Sequence, residues 1–498
     1  MESEEFISSL YLDKILDEYL LFSPKTLHLI RLDNESYELL NHIKKYGINE
    51  GVSEFLKRHP RLNREDVDRI IESLRALDAV PYCLNDDYNS PEVVPASVAL
   101  YLTSACNFKC VYCYEQQHGI PLFMIRDEND ADDIIEFLLS KGSSKLSVGF
   151  FGGEPLLNFR ILRYIAETLS RRATLLGKAV NFSITTNGYL ITPSVVDFFK
   201  KFRFNVVFSM DGPREIQNHN RPTKTGDSTF DVVMKNLRLL IASGVPVTVR
   251  ATILPEQIDK YFEIFRFFVE NGVGSVHIEP ASIGSNSFRE IIPPLKEQLR
   301  LVAEYELQHI EETAMFRYSH FRKYFAILAS RRALLYPCGA GRKLFGISSD
   351  GRLYPCQRFV GMDGFVIGDI RSGVDISSEV IQKILLNPPR EPCSQCWAYP
   401  LCRGGCYYIN YMYSGDIHKP DPYYCEFIRE LIRLSMWLYI KVKRSHPVVF
   451  EKMLKSLKYN SPLAGVSEAS ADESKIKRRL VKYGVRSREP RRQHQVWK

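Results

Sequence analysis

Eleven cysteines stand in this 498-residue chain, and ten of them fall into two spaced clusters. In the first, Thr103-Ser104-Ala105-Cys106-Asn107-Phe108-Lys109-Cys110-Val111-Tyr112-Cys113, the spacing is C-x3-C-x2-C. Three thiolates on one loop suit three irons of a [4Fe–4S] cube and leave the fourth iron open. The same spacing could supply three ligands of a zinc site whose fourth lies elsewhere. The second cluster holds Cys338, Cys356, Cys393, Cys396, Cys402, Cys406 and Cys425, and with Gly351 it reads C-x12-G-x4-C, a gap, then C-x2-C-x5-C-x3-C-x18-C. Its C-x2-C step is also the commonest zinc signature. In a reducing compartment, clustered thiols point to metal or redox chemistry rather than to disulfides. Cys83 stands alone and reads as a small buried hydrophobe.

The elements that must position these thiols follow from periodicity. Between 97 and 310, short apolar strands at 97–103, 147–151, 181–185, 205–209, 245–252 and 275–279 alternate with helical stretches at 130–140, 159–176, 193–202 and 230–243. That alternation implies a parallel sheet, closed or partly closed as a barrel. Six units fall short of the eight of a full barrel. The fold expected is α/β, with a partial (β/α)6 TIM-like barrel over 96–310. Residues 1–90 read as a small α+β, winged-helix-like domain: a strand in 26–32, a turn at 33–36, a helix carrying Tyr37, Leu39, Leu40, Ile43 and Ile48, and a second helix capped by Asn63 with Val67, Ile70, Ile71, Leu74 and Leu77 at helical spacing. The polar stretch 86–95 reads as a linker. Over 336–430, Cys, Gly, Pro and Tyr dominate, so metal is expected to replace much of a core. A helix follows to about 445, then a polar tail.

The bulk numbers exclude several classes. The hydrophobic share of 45% and the charged share of 25% are those of a globular protein. No apolar run approaches the ~20 residues that span a bilayer. The acidic start, Met1-Glu2-Ser3-Glu4-Glu5, lacks the layout of a signal peptide, so a cytoplasmic protein without membrane partners is expected. The net charge of +7 is concentrated late, with Lys475, Lys477, Arg478, Arg479, Lys482, Arg486, Arg488, Arg491 and Arg492 in a disordered basic tail over 465–498. No platform of stacking aromatics accompanies this run, which argues against nucleic acid as a partner.

The first cysteine loop, with Tyr112 as the aromatic residue before Cys113, resembles the radical S-adenosylmethionine (SAM) superfamily. Further segments resemble the same family in order: Phe150-Phe151-Gly152-Gly153-Glu154-Pro155 at the end of the second strand, Ser183-Ile184-Thr185-Thr186-Asn187-Gly188 at the third, Phe208-Ser209-Met210-Asp211-Gly212-Pro213 at the fourth, and Arg221 after that turn. The resemblance implies that Cys106, Cys110 and Cys113 hold a [4Fe–4S] cluster whose open iron binds SAM, and that electron transfer cleaves SAM to a 5′-deoxyadenosyl radical. It also implies that Gly152, Gly153 and Glu154 take the SAM amino group, that Ser183, Asn187, Ser209 and Asp211 reach its carboxylate and ribose, and that Tyr112 and Arg221 belong to the same cofactor-binding set. A reductant such as ferredoxin or flavodoxin is implied as a partner.

The second cluster resembles the SPASM extension, a domain that holds auxiliary iron–sulfur clusters. By that pattern Cys393, Cys396, Cys402 and Cys425 would hold an outer auxiliary cluster, and Cys338, Cys356 and Cys406 an inner one. Many relatives carry one more cysteine where this chain has Arg332. Sulfatase-maturating relatives place an aspartate where this chain has Gln357, which cannot serve as a base at neutral pH. The stretch Tyr354-Pro355-Cys356-Gln357-Arg358-Phe359-Val360-Gly361 instead looks like maturases that join a cysteine sulfur to carbon, and like maturases of quinohaemoprotein amine dehydrogenase subunits. Residues 10–85 resemble the precursor-recognition element of ribosomal-peptide-modifying enzymes, which implies a peptide or protein substrate bound as an added strand. The expected activity is thus radical-based modification of a peptide, forming a thioether. Carbon–carbon crosslinking, formylglycine formation and epimerisation are alternatives on the same scaffold, and a zinc-stabilised binding module and a nucleic-acid modifying enzyme are alternatives from other classes.

Overall fold

The computed structural model describes residues 2–78, 83–84, 92–117, 123–281, 289–386 and 389–460. The basic tail lies outside these residues, and Cys83 is described by its backbone alone. The chain divides into two compact units. One takes residues up to Cys83, 328–333 and the described residues from 454, and the other takes 84–327 and 334–453.

The first unit opens with α1 (Glu2–Ser9) and a three-stranded antiparallel sheet in the order β1 (Tyr11–Ile15), β2 (Glu18–Phe22), β3 (Leu29–Leu32). Of these strands only β3 is legible from alternation. β1 and β2 are joined through Leu16-Asp17, where Leu16 takes φ 53°, so the turn carries none of the usual Asn-Gly signal. Three helices follow, α2 (Asn34–Tyr46), α3 (Ile48–Arg58) and α4 (Arg64–Asp78), and then β4 (Cys83–Leu84). The single helix expected to run through Ile48 is two, because Gly47 at φ 79° ends one and starts the next. Asn63 caps α4 as its sequence implies: Asp66 N donates to Asn63 Oδ1 at 3.0 Å, and Asn63 N donates to Asp66 Oδ2 at 3.1 Å. The buried stripe of Leu39, Leu40, Ile43, Val52, Phe55, Val67, Ile71 and Leu74 closes this core against Leu21 and Leu32.

In the second unit, β5 (Ser97–Thr103), β6 (Lys145–Gly152), β7 (Ala179–Thr186), β8 (Asn205–Ser209), β9 (Val247–Ile253) and β10 (Val276–Pro280) pair in parallel, each within two residues of its expected bounds. The helices Glu128–Lys141, Phe159–Leu175, Pro193–Lys201 and Phe230–Ala242 run between them. After β11 (Arg332–Ala333), the cysteine-rich region extends this sheet, which the sequence did not announce. β12 (Leu344–Ile347) lies parallel to β5, and β13 (Leu353–Tyr354) folds back on β12. Gly351 makes that hairpin turn at φ 86°, and its N–H donates to Ser348 O at 2.9 Å. A side chain there would adopt a strained backbone, which accounts for the glycine inside C-x12-G-x4-C. The final helices are Pro422–Ser445, capped by Asp421, and Pro447–Asn460, where a polar tail was expected.

Candidate metal centres and cofactor cavity

The first cysteine loop leaves the C-terminal end of β5 and is clamped on both sides. Gly153 N donates to Thr103 O and Glu154 N to Ala105 O, both at 2.9 Å, which fixes it to the end of β6. Lys109 N donates to Pro222 O at 2.9 Å and Val111 N to Asn220 O at 3.0 Å, which fixes it to the segment after β8. Burial pushes the Cys106 thiol up to about 11 and the Cys110 thiol up to about 12. Binding of a metal here must therefore displace protons. Donors already face the sulfurs: Phe108 N stands 3.4 Å from Cys106 Sγ, Asn187 Nδ2 stands 3.9 Å from Cys106 Sγ, and Arg221 Nη1 stands 3.9 Å from Cys110 Sγ. Hydrogen bonds to sulfur of this kind suit an iron–sulfur cluster.

The Gly152-Gly153-Glu154 turn has a packing reason. A Cβ on Gly152 would fall 2.0 Å from Thr103 O, and one on Gly153 2.4 Å from Ala105 O. Only glycine lets the two loops approach this closely. Glu154 is fully buried, and three donors surround its carboxylate: Leu156 N at 3.0 Å, Thr186 Oγ1 at 2.8 Å and Asn187 N at 2.7 Å. Burial nevertheless raises it to about 7. Glu154 thus ties the end of β6 to the end of β7.

A buried trio completes the loop. Tyr112 OH donates to Asp211 Oδ2, Arg221 Nε lies 3.0 Å from Asp211 Oδ1, and the Arg221 guanidinium sits 5.3 Å from the centre of the Tyr112 ring. Asp211 Oδ1 also accepts from Thr252 N at 2.9 Å, which joins β8 to β9.

These parts border a cavity of about 490 Å3 at the strand ends. Of the residues singled out in the sequence, Cys106, Cys110, Cys113, Tyr112, Gly152, Gly153, Asn187, Ser209 and Arg221 line it, whereas Glu154, Ser183 and Asp211 do not. Ser183 lies one alternating step below Thr185, which does reach the cavity. Glu154 and Asp211 lie behind the lining as supports. Sequence reasoning missed Arg250, Thr252 and Glu279 on β9 and β10, and Tyr408 and Tyr424 from the cysteine-rich region. The signal for Arg250 and Glu279 was present, since each is a lone charge inside an apolar strand.

The seven remaining described cysteines fall into two sets. Besides burial, the Cys356 thiol is raised by Cys406 and Cys338, and the Cys338 thiol by Cys406. The Cys425 thiol is raised by Cys402, Cys393 and Cys396, and the Cys393 thiol by Cys402 and Cys396. Local structure places four of them. Cys356 ends the β12–β13 hairpin, Cys402 ends the short helix Tyr399–Cys402, Cys406 precedes the helix Tyr407–Ser414, and Cys425 sits in the first turn of Pro422–Ser445. Gly346 lets the hairpin close, because a Cβ there would meet Cys356 O at 2.8 Å. All ten of these cysteines are free of disulfides.

Residues 100–269 match the radical SAM superfamily, and residues 338–397 match SPASM, an iron–sulfur cluster-binding domain. The chain carries a radical SAM domain and a SPASM domain. It is 24% identical over 355 residues to a cysteine-type anaerobic sulfatase-maturating enzyme of Clostridium perfringens, covering 67% of this chain and 94% of that one. It is 28% identical over 375 residues to the mycofactocin maturase MftC of Mycobacterium tuberculosis, covering 72% and 86%. Among solved structures, histidine-tagged anSMEcpe with bound AdoMet superposes with a TM-score of 0.63 at 21% identity, covering 72% of this chain and 98% of that one. Streptococcus suis SuiB bound to its precursor peptide SuiA gives 0.50 at 18% identity, covering 83% and 98%. These likenesses show the shared fold. The two domains together imply [4Fe–4S] clusters and SAM as cofactors, and the curated relatives named here are maturases of peptides or proteins. No described helix is long and apolar enough to cross a membrane.

Proposed function

We propose that this enzyme joins a cysteine sulfur to a carbon of a peptide substrate. Cys106, Cys110 and Cys113 hold the SAM-binding cluster, Cys393, Cys396, Cys402 and Cys425 an outer auxiliary cluster, and Cys338, Cys356 and Cys406 an inner one. The groups these thiols hold would supply a 5′-deoxyadenosyl radical that removes one hydrogen atom from carbon, and an acceptor for the one further electron that sulfur–carbon bonding releases. The residues of the chain do the remaining work. Gly152 and Gly153 let the SAM methionyl end approach the backbone, Asn187 and Ser209 offer hydrogen bonds beside it, and Arg221, charge-balanced by Asp211, presents a guanidinium to its carboxylate.

The observation that carries the thioether reading is the three-thiol inner set beside Gln357. Of the seven described cysteines outside the first loop, Cys338, Cys356 and Cys406 form one set and the other four form the second. Three protein thiolates leave a position for a substrate thiolate, and an iron-bound thiol needs no protein base because coordination deprotonates it. Gln357 lines the cavity where an acidic residue could have served as that base. The amino-terminal unit binds the peptide, through an open edge of its small sheet. Ferredoxin or flavodoxin supplies the electron, and the many free thiols favour the reducing cytoplasm.

The test is modification of a cysteine-bearing peptide encoded beside this gene, followed by mass spectrometry. Loss of two hydrogens together with loss of reactivity to iodoacetamide is the expected result. Loss of two hydrogens with the thiol still alkylated would instead indicate a carbon–carbon link, and conversion of the thiol to an aldehyde would indicate formylglycine.

A further inference from the structure

Glu279 lines the cavity from β10, with Arg250 from β9 and Arg358 from the turn after β13 beside it. Both guanidiniums reach the same carboxylate oxygen. Arg250 Nη2 lies 3.4 Å and Arg358 Nη2 3.3 Å from Glu279 Oε2, while His277 Nε2 lies 3.4 Å from Oε1. One carboxylate is thus shared by two arginines and an imidazole. Among the described residues it is the ion-pair partner of both arginines. Each contact is single and long, whereas a guanidinium satisfied by a carboxylate forms two parallel, shorter bonds. Both arginines therefore keep donors to spare at the cavity, with side chains 32% and 21% exposed.

Two other occupants fit less well. His277, Glu279 and His320 bring ligand atoms within 4.8 Å of one another, and His320 Nε2 is buried without a hydrogen-bond partner. A divalent cation there would sit against two guanidiniums in a poorly screened site, and that repulsion favours an anion instead. The SAM carboxylate already has Arg221 beside the cysteine loop, next to Cys110.

We propose that Arg250 and Arg358 bind a carboxylate of the peptide substrate and so set which carbon lies in the cavity. Glu279 is their positioning residue: it holds the two guanidiniums side by side without saturating either. His277, held by Ser319 Oγ at 2.8 Å from Nδ1, fixes Glu279 in turn. The substrate then carries an acidic side chain or its own C-terminus at the modified position. This inference rests on the reading of the enzyme as a peptide modifier and adds the chemistry of the residue it selects.

The test uses the full chain with its clusters and SAM, under anaerobic conditions. Ligand-observed NMR follows three probes: N-acetyl-glutamate α-methylamide with a side-chain carboxylate, N-acetyl-glutamine α-methylamide with the matching amide, and N-acetyl-alanine with a terminal carboxylate. At least one carboxylate probe should bind about tenfold more tightly than the amide probe, the effect expected for one charge-assisted contact. The tighter of the two identifies the side chain or the terminus as the source. Arg250→Gln and Arg358→Gln should each erase that preference, and Arg250→Lys should restore part of it, with the SAM Kd changed less than about twofold. Equal binding of all three probes, binding of none, or a preference that survives both glutamine variants overturns the proposal. Parallel loss of SAM binding overturns it too and assigns the pair to the SAM carboxylate. The same sample, assayed for 5′-deoxyadenosine with dithionite, tests the radical SAM reading separately.

Discussion

Tyr112 and Asp211 are 99 residues apart, yet the tyrosine hydroxyl donates to the aspartate at 2.5 Å. That bond fastens the cysteine loop to the end of β8, and Asp211 simultaneously balances the buried Arg221. Asp211→Ala should therefore cost about 3–5 kcal/mol, because it leaves a buried guanidinium without its counter-charge. Tyr112→Phe removes one hydrogen bond to a charged group, a loss of about 1.5–3 kcal/mol. Anaerobic urea unfolding measures both. Equal effects would mean that the ion pair is not what Asp211 chiefly provides.

The glycine pair makes a sharper contrast. A Cβ at Gly153 would fall 2.4 Å from Ala105 O, whereas one at Gly177, also a turn glycine with φ 65°, meets nothing within 4 Å. Gly153→Ala should displace the cysteine loop, lowering the iron held by Cys106, Cys110 and Cys113 and abolishing SAM binding. Gly177→Ala should cost only the ~1–2 kcal/mol of a left-handed residue and retain both properties. Iron analysis and equilibrium dialysis with SAM separate the two outcomes.

Much of this was legible in the sequence, for reasons that differ by residue. The six parallel strands announce themselves because each is a short apolar run followed by an amphipathic helix. The cysteine loop and Gly152-Gly153 are legible because metal binding and close backbone approach each admit few residue types. For Glu154 and Ser183 the sequence does not say where the side chain points. A carboxylate after two glycines does suit an ammonium, but the fold surrounds Glu154 with three donors from β7 and its own turn. Ser183 and Thr185 share a strand face, and only register decides which of them reaches the cavity. β12 and β13 were hidden because four-residue and two-residue strands carry too little alternation to read.

Stability should depend on pH through Glu306. Burial raises this carboxyl from 4.5 to about 7, and its Oε1 accepts from Tyr318 N. Between those values the folded chain keeps a proton that the unfolded chain releases, so stability falls as pH rises from about 4.5 to 7 and is level above. At ~1.4 kcal/mol per unit this amounts to about 3 kcal/mol. Glu306→Gln removes the titration. The stability of the variant minus that of the wild type should grow by about that much between pH 4.5 and 7. A difference independent of pH would show that Glu306 does not carry the proton.

The amino-terminal unit has its own core, so under the proposed function its removal should separate binding from chemistry. Deleting residues 1–83 should raise the KM for peptide modification by at least about tenfold, the loss of one good anchoring contact. It should leave uncoupled 5′-deoxyadenosine formation close to that of the full chain. Equal loss of both activities in a variant that retains its iron would make the unit a structural cap.

The inner cysteine set provides the most direct test of the thioether account. A variant with Cys106→Ala, Cys110→Ala and Cys113→Ala should make no 5′-deoxyadenosine yet retain the iron of the other seven cysteines. Its electron paramagnetic resonance spectrum is then recorded with a cysteine-bearing substrate peptide and with the same peptide carrying serine instead. The account predicts that the cysteine peptide alters the spectrum and the serine peptide does not, because a thiolate joins the cluster at Cys338, Cys356 and Cys406. A spectrum unchanged by the cysteine peptide, under conditions where that peptide is shown to be bound, would contradict it.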